Sequence, residues 1–200
     1  MTTNQQPFPM ANEPQEKPEE PKSQAQLDYE SGVEALKNQD FGQAANAFHN
    51  AIIEYEQSDD KTGVANANDK LGDVCRESQE LENALAYYEK AFSICEEFDD
   101  IYSLISLKDK KAQCHQGLKQ YDAAIDLYME LLDQFERMRS PGSSVAILVK
   151  LADVFVESGN LQGAIDANKT AASIHSNFSH KRKAQDFLDR VTELEKQMDR

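Results

Sequence analysis

Three lysines stand in one phase, forty residues apart: Lys70, Lys110 and Lys150. A cation repeated at constant spacing is the pattern expected of a basic strip that meets an acidic segment or a C-terminal carboxylate of a partner. It equally fits a salt-bridged helix surface. Asp73 follows Lys70 by three residues and Asp153 follows Lys150 by three, a spacing that pairs side chains on a helix. Lys110 lacks that partner, with Gln113 at the matching place and Asp109 adjacent, and is therefore the lysine to test first. Tyr29, Asn66, Asp73, Gln113 and Asp153 surround this column, differ from copy to copy, and would supply specificity. Reversing Lys110 and Lys150 to Glu is expected to abolish partner binding without lowering helicity.

Catalytic patterns do not emerge. His49, His115, His175 and His180 have no ligand-like spacing, and His115 falls in a packing column, where a core role is expected. Pairs such as Glu96-Glu97 and Asp99-Asp100 read as helix ends and caps. No Gly-rich phosphate loop, nucleophile elbow or zinc pattern is present, so no catalytic residue, metal or cofactor is implied. Cys75, Cys95 and Cys114 form no C-x-x-C pair and are odd in number, as expected of reduced thiols in a cytoplasmic protein.

The elements that position these residues repeat. Asn83–Ala91 has relatives forty residues away in both directions: Gln43–Ala51, Ala123–Leu131 and Gly163–Ala171. Superposition at this period aligns Gly32, Gly72, Ala112 and Ala152, and then Ala44, Ala84, Ala124 and Ala164. A third column holds Phe48, Tyr88, Tyr128 and Asn168, and a fourth Ala51, Ala91, Leu131 and Ala171. Small residues let two helices approach, and the aromatic column fills the space beside them. Short polar breaks such as Glu77-Ser78-Gln79-Glu80 divide each copy into helix A, tight turn and helix B. Asp59-Asp60, Asp99-Asp100 and Ser140-Pro141 mark the next helix start. This places helices at 24–38, 41–57, 61–78, 81–98, 101–117, 121–138, 141–158 and 161–177. A ninth, at 181–198, has Phe187, Leu188, Val191 and Leu194 on one face, as a terminal cap should. Asn168 in the aromatic column and Lys111 in place of Leu71 imply looser packing in the third and fourth copies.

Residues 1–24 differ in composition. Five of the six prolines lie there, and a disordered tail is expected. Its Glu13, Glu16, Glu19 and Glu20 could compete for the basic strip. The net charge of −15 argues against nucleic-acid and anionic-membrane surfaces. No run approaches a membrane span, and no signal peptide is visible. The expected organisation is a tail over 1–24, repeats at about 25–60, 61–100, 101–140 and 141–178, and a capping helix at 179–200.

Leu71-Gly72, Ala84, Tyr88 and Ala91 resemble the tetratricopeptide repeat, and four copies in phase extend the resemblance over residues 25–177. The forty-residue unit is longer than the usual ~34. It resembles the long-helix branch found in kinesin light chains and spindle-orientation adaptors, and is similar in style to the NSF attachment proteins. The resemblance implies an all-α right-handed superhelix whose A helices line a concave groove. It implies a protein–protein adaptor binding a peptide or helix there, with a self-associating scaffold or assembly factor as the alternative. Some relatives clamp chaperone C-termini, but here Tyr29, Val33, Lys70 and Ser106 depart from that clamp, and only Lys110 matches its basic pair. The partner and the oligomeric state are left open.

Overall fold

The structure is a computed structural model that describes residues 21–199. Within them the chain forms nine helices and no strand. They are α1 (Gln24–Lys37), α2 (Phe41–Gln57), α3 (Lys61–Glu77), α4 (Leu81–Glu97), α5 (Ile101–Gly117), α6 (Tyr121–Arg137), α7 (Pro141–Glu157), α8 (Leu161–Asn177) and α9 (Lys181–Met198). The expected ends fall within one residue of these. The segment expected as a disordered tail, with its four glutamates, lies outside the described residues over 1–20. Residues 21–23 lead into α1, where Ser23 and Gln26 form a reciprocal capping box.

One turn design repeats along the chain. After each of seven helices, a non-glycine residue takes a left-handed conformation: Gln39, Asp59, Gln79, Asp99, Lys119, Arg139 and Ser179. Its N–H donates back to a carbonyl three residues earlier, and the next residue's N–H donates five residues back, as in Gln79 to Arg76 and Glu80 to Cys75. This closes two orphan carbonyls of the finished helix. The same residue that completes the closure starts the following helix, so three residues separate helices throughout. Only the turn between α7 and α8 uses glycine, Gly159 at φ 81°. Asp60 and Asp100 cap α3 and α5 through Gly63 and Ser103 N–H, as expected. Ser140 sits at the start of α7 but makes no cap bond; its hydroxyl meets that of Ser143 at 2.9 Å.

Each helix packs on its predecessor and successor, and α1 also touches α3, so the core is a row of patches rather than one centre. The repeated columns form it. Ala44, Ala84, Ala124 and Ala164 are buried, as are Phe48, Tyr88 and Tyr128. Gly72 is required: a Cβ there would lie 2.3 Å from Tyr88 Cε1. The chain is an all-α superhelix of four helix-turn-helix repeats and a terminal helix. Ala184, Val191 and Leu194 seat α9 on α8, while Leu188, expected on that face, is largely exposed.

Two packing expectations change. His115 is half-buried rather than in the core; its Nδ1 lies 2.6 Å from Gln120 Oε1 across the turn. The third repeat is filled normally, with Tyr128 and Leu131 buried, and Lys111 is accommodated by Glu89 and by the Phe92 ring, 4.7 Å from its Nζ. In the fourth repeat Asn168 is itself buried, as are Ala164, Ile165, Ala167 and Ala171 of the same helix.

Candidate functional site: a neutralised charge ladder on the A helices

The A helices α3, α5 and α7, followed by α9, are bridged directly by side chains 37–41 residues apart. This ladder links the A helices and contains most of the residues singled out from the sequence. Its densest node lies between α3 and α5. Lys110 Nζ donates to both oxygens of Asp69 at 2.6 and 2.8 Å and to Asp73 at 3.0 Å. Lys70 donates to Asp73 at 3.2 Å, as its three-residue spacing implies. The expectation for Lys110 is reversed: it is the most engaged lysine of the column. Its partners come from the preceding repeat, 41 and 37 residues back, rather than from its own helix.

Tyr88 ties the node to the core. Its hydroxyl donates to Asp73 Oδ1 at 2.9 Å and accepts from Arg76 Nε at 3.3 Å, and Lys110 Nζ stands 5.5 Å from its ring. Burial pushes the Asp73 carboxyl up, but Lys110 and Tyr88 outweigh it and hold the group below the usual carboxylate range. Burial, then Asp73, raise the Tyr88 phenol strongly, so it remains a donor at neutral pH. Tyr29 of α1 is edge-on to Phe48 at 5.5 Å; its phenol is raised by burial and by the field of Asp69 and Asp73.

The next node repeats the geometry one step on. Lys150 Nζ donates to Asp109 at 2.5 and 2.7 Å, and Gln113 Nε2 donates to the same carboxylate at 2.9 Å. Lys150 therefore pairs with Asp109 and not with Asp153, its expected partner. Asp153 accepts from Arg190 of α9 at 3.1 Å. Gln116 donates to Glu157 at 2.8 Å along the rim. Asn66 is exposed beside Asp69 and Ser106, where α3 and α5 enclose a small polar pocket. The structure thus brings Tyr29, Lys70, Asp73 and Lys110 into one cluster, places Gln113 and Lys150 in a second, and sets Asp153 apart at the α9 end.

Sequence reasoning missed Asp69 and the pairing of Asp109 with Lys150, having noted Asp109 only beside Lys110, and it missed Arg76 and Arg190. A signal for the first two existed: Asp-Lys occurs at 69–70 and again at 109–110, so each later lysine has an aspartate 41 residues behind it. Among the described residues no cluster of His, Cys, Asp and Glu could hold a metal ion. The three cysteines are free thiols, and burial pushes Cys114 up to about 11.

The repeated helix-turn-helix fold defines the class: a tetratricopeptide-repeat solenoid. A family model described as tetratricopeptide repeat matches residues 110–177, and one described as soluble NSF attachment protein, SNAP, matches residues 4–135. The chain belongs to the soluble NSF attachment protein family. No curated protein matches it in sequence. Among solved structures, apo RapI is similar at TM-score 0.68 and 16% identity, covering 82% of this chain and 60% of that one. A kinesin light chain with nearly identical TPR-like repeats, from Podospora anserina, is similar at TM-score 0.61 and 12% identity, covering 89% and 99%. A Rap protein complexed with Competence and Sporulation Factor is similar at 0.61 and 11%, covering 86% and 64%. The chain therefore spans under two thirds of either Rap protein. Tetratricopeptide-repeat folds commonly mediate protein–protein interaction, and among the described residues no helix is long and apolar enough to cross a membrane.

Proposed function

We propose that this chain is a non-catalytic adaptor that takes an extended or helical segment of a partner protein along its inner face. The contact surface comprises Lys70, Lys110, Lys150, Asn66, Asp73, Gln113, Asp153 and Tyr29. The observation that carries this reading is the row of half-exposed, mutually hydrogen-bonded charges running from Asp69 to Arg190. Charges held rigid by one another are preorganised for a partner and lose little side-chain freedom on binding. The Rap protein in complex with Competence and Sporulation Factor supports the idea that such a fold receives a ligand.

An acidic segment or a C-terminal carboxylate would enter by exchange, replacing Asp73 on Lys70 and Asp109 on Lys150. These two lysines keep 32% and 37% of their side chains open, against 19% for Lys110. The double reversal Lys70→Glu/Lys150→Glu is expected to weaken the partner at least tenfold, about 1.4 kcal/mol. Lys90→Glu on the outer helix α4 should leave affinity unchanged. Calorimetric titration of a captured partner checks both, and equal affinity for all three proteins removes the groove from consideration. The free thiols support a reducing, cytoplasmic setting.

A second reading, a self-associating scaffold, is favoured by one feature. Phe98, Met138 and Phe178 recur at forty-residue spacing on the inter-repeat turns and are 57%, 39% and 56% exposed. An apolar row along one edge suits contact between copies. Sedimentation velocity over a hundredfold concentration range should then show a rising sedimentation coefficient that Phe98→Ser/Phe178→Ser abolishes; a constant monomer value rejects this reading.

A further inference from the structure

The four turns that follow the B helices α2, α4, α6 and α8 lie along one edge of the superhelix. Successive packed helices joined by short turns run antiparallel, so every B-helix end and every following A-helix start reach the same side. Lys61 after the first of these turns meets Glu97 before the second at 2.6 Å, which places the two side by side.

The charge of this edge changes sign midway. The first turn carries Glu54, Glu56 and Asp59, and the second carries Glu96, Asp99 and Asp100, all exposed. The third carries Arg137 and Arg139 against Glu136, and the fourth leads into Lys181, Arg182 and Lys183, again all exposed. In a chain of net charge −15, a basic half-edge is not part of a uniform solvating surface. Apolar residues recur on the same edge. The last position of the B helices reads Ser58, Phe98, Met138 and Phe178. Beside Phe98, Ile101 and Tyr102 are 50% and 77% exposed. Large apolar side chains gathered in water mark a contact surface.

The two signs select what covers it. A nucleic acid or an anionic bilayer would meet the acidic half with like charge. An edge acidic at one end and basic at the other complements its own copy. A two-fold axis between the second and third turns lays the first turn on the partner copy's fourth, and the second on its third. Each acidic turn then faces a basic one, and Phe98 faces the other copy's Met138. A two-fold contact of this kind uses the same patch on both copies and closes at two.

We infer that a second copy of this chain docks along this edge in an antiparallel, two-fold arrangement. The inference rests on the scaffold reading above and names the surfaces that meet. The charge ladder of the A helices lies outside the edge, so a pair of chains presents two such ladders.

The test is sedimentation velocity of the whole chain and two charge-reversal variants, over about a hundredfold concentration range. One variant is Glu56→Lys/Glu96→Lys/Asp99→Lys; the other is Arg139→Glu/Arg182→Glu/Lys183→Glu. All six side chains are exposed, and the left-handed conformation of residues 99 and 139 is taken by Lys119 and Gln79 in other turns. Both variants should therefore keep the parent's circular dichroism. The parent should rise to a dimer and no further, and about 1 M salt, which screens charges beyond about 3 Å, should weaken it at least tenfold. Each variant alone should associate at least tenfold more weakly than the parent, and their equimolar mixture should recover the parent's dimer. A parent that associates while both variants associate equally well, a mixture that stays monomeric, or growth past the dimer overturns the inference and leaves the scaffold reading standing. A parent that stays monomeric throughout rejects both.

Discussion

Replacing Lys110 by methionine lowers the stability of the fold by about 2–4 kcal/mol at pH 7, more than the same replacement at Lys70 or Lys150. The methionine keeps the helix and most of the packing but removes the charge that meets Asp69 and Asp73 most closely, leaving only the longer contacts of Lys70 to the same two carboxylates. Stripping one partner from a buried ion pair costs about 3–5 kcal/mol. Here the three groups keep 13–24% of their side-chain surface open, so some of that cost returns as hydration. The sign of the pH dependence follows from Asp73. Its folded carboxyl lies below the ordinary value, so its contribution is present above about pH 3.9 and is lost as pH falls through the folded value. Without Lys110, only Tyr88 and Lys70 oppose burial at Asp73, so the variant has less carboxylate stabilisation to lose in acid. The gap between the two proteins should therefore narrow as pH drops below about 4. Urea midpoints at neutral and acid pH measure this. A difference below about 0.5 kcal/mol at pH 7, or one that widens in acid, would sink the assignment of Lys110 as the keystone. Charge reversal at Lys110 is worse still, placing a third carboxylate against two. It cannot serve as a clean binding test, contrary to what the lysine column alone suggests.

Tyr88→Ala is expected to cost about 3–5 kcal/mol, the range for emptying a buried aromatic site. Tyr88 is fully buried between α3, α4 and the start of the third repeat, against Gly72, Ala91 and Cys114. Its loss also leaves Asp73 with one donor fewer and Arg76 without its phenol oxygen. Because each helix touches only its neighbours, the damage should stay local. Hydrogen exchange read by mass spectrometry should show protection falling most in α3, α4 and α5, with α7 to α9 changed least. Uniform loss across the chain would mean that the repeats fold as one cooperative unit.

The forty-residue period carried most of the fold. Small and aromatic columns specify which faces meet, and polar breaks at constant spacing specify where helices stop, so the helix ends are predicted within one residue. The site was legible in a different measure. Lys70 and Asp73 follow from spacing on one helix, whereas Lys110 with Asp69 and Lys150 with Asp109 depend on how far consecutive A helices lie apart. That separation comes from packing, and a rule for one helix does not contain it. Arg190 was further removed, since its meeting with Asp153 depends on how α9 docks. Asn168 was visible as a departure, but only the structure shows that it is buried and bonded to Ala164 O of its own helix. His115 went the other way: its column is apolar in the other repeats, yet Gln120 draws the ring toward the turn.

The central claim is that the inner face formed by the A helices, and not the outer B-helix surface, meets the partner. Photo-crosslinking settles it most directly, with benzoylphenylalanine placed singly at Asn66, Gln113 and Asp153 on the inner face and at Ile53 and Met129 on α2 and α6. Adducts with one partner from the three inner positions, and none from the two outer ones, are the predicted result. Adducts from Ile53 or Met129 with a silent inner face would contradict it.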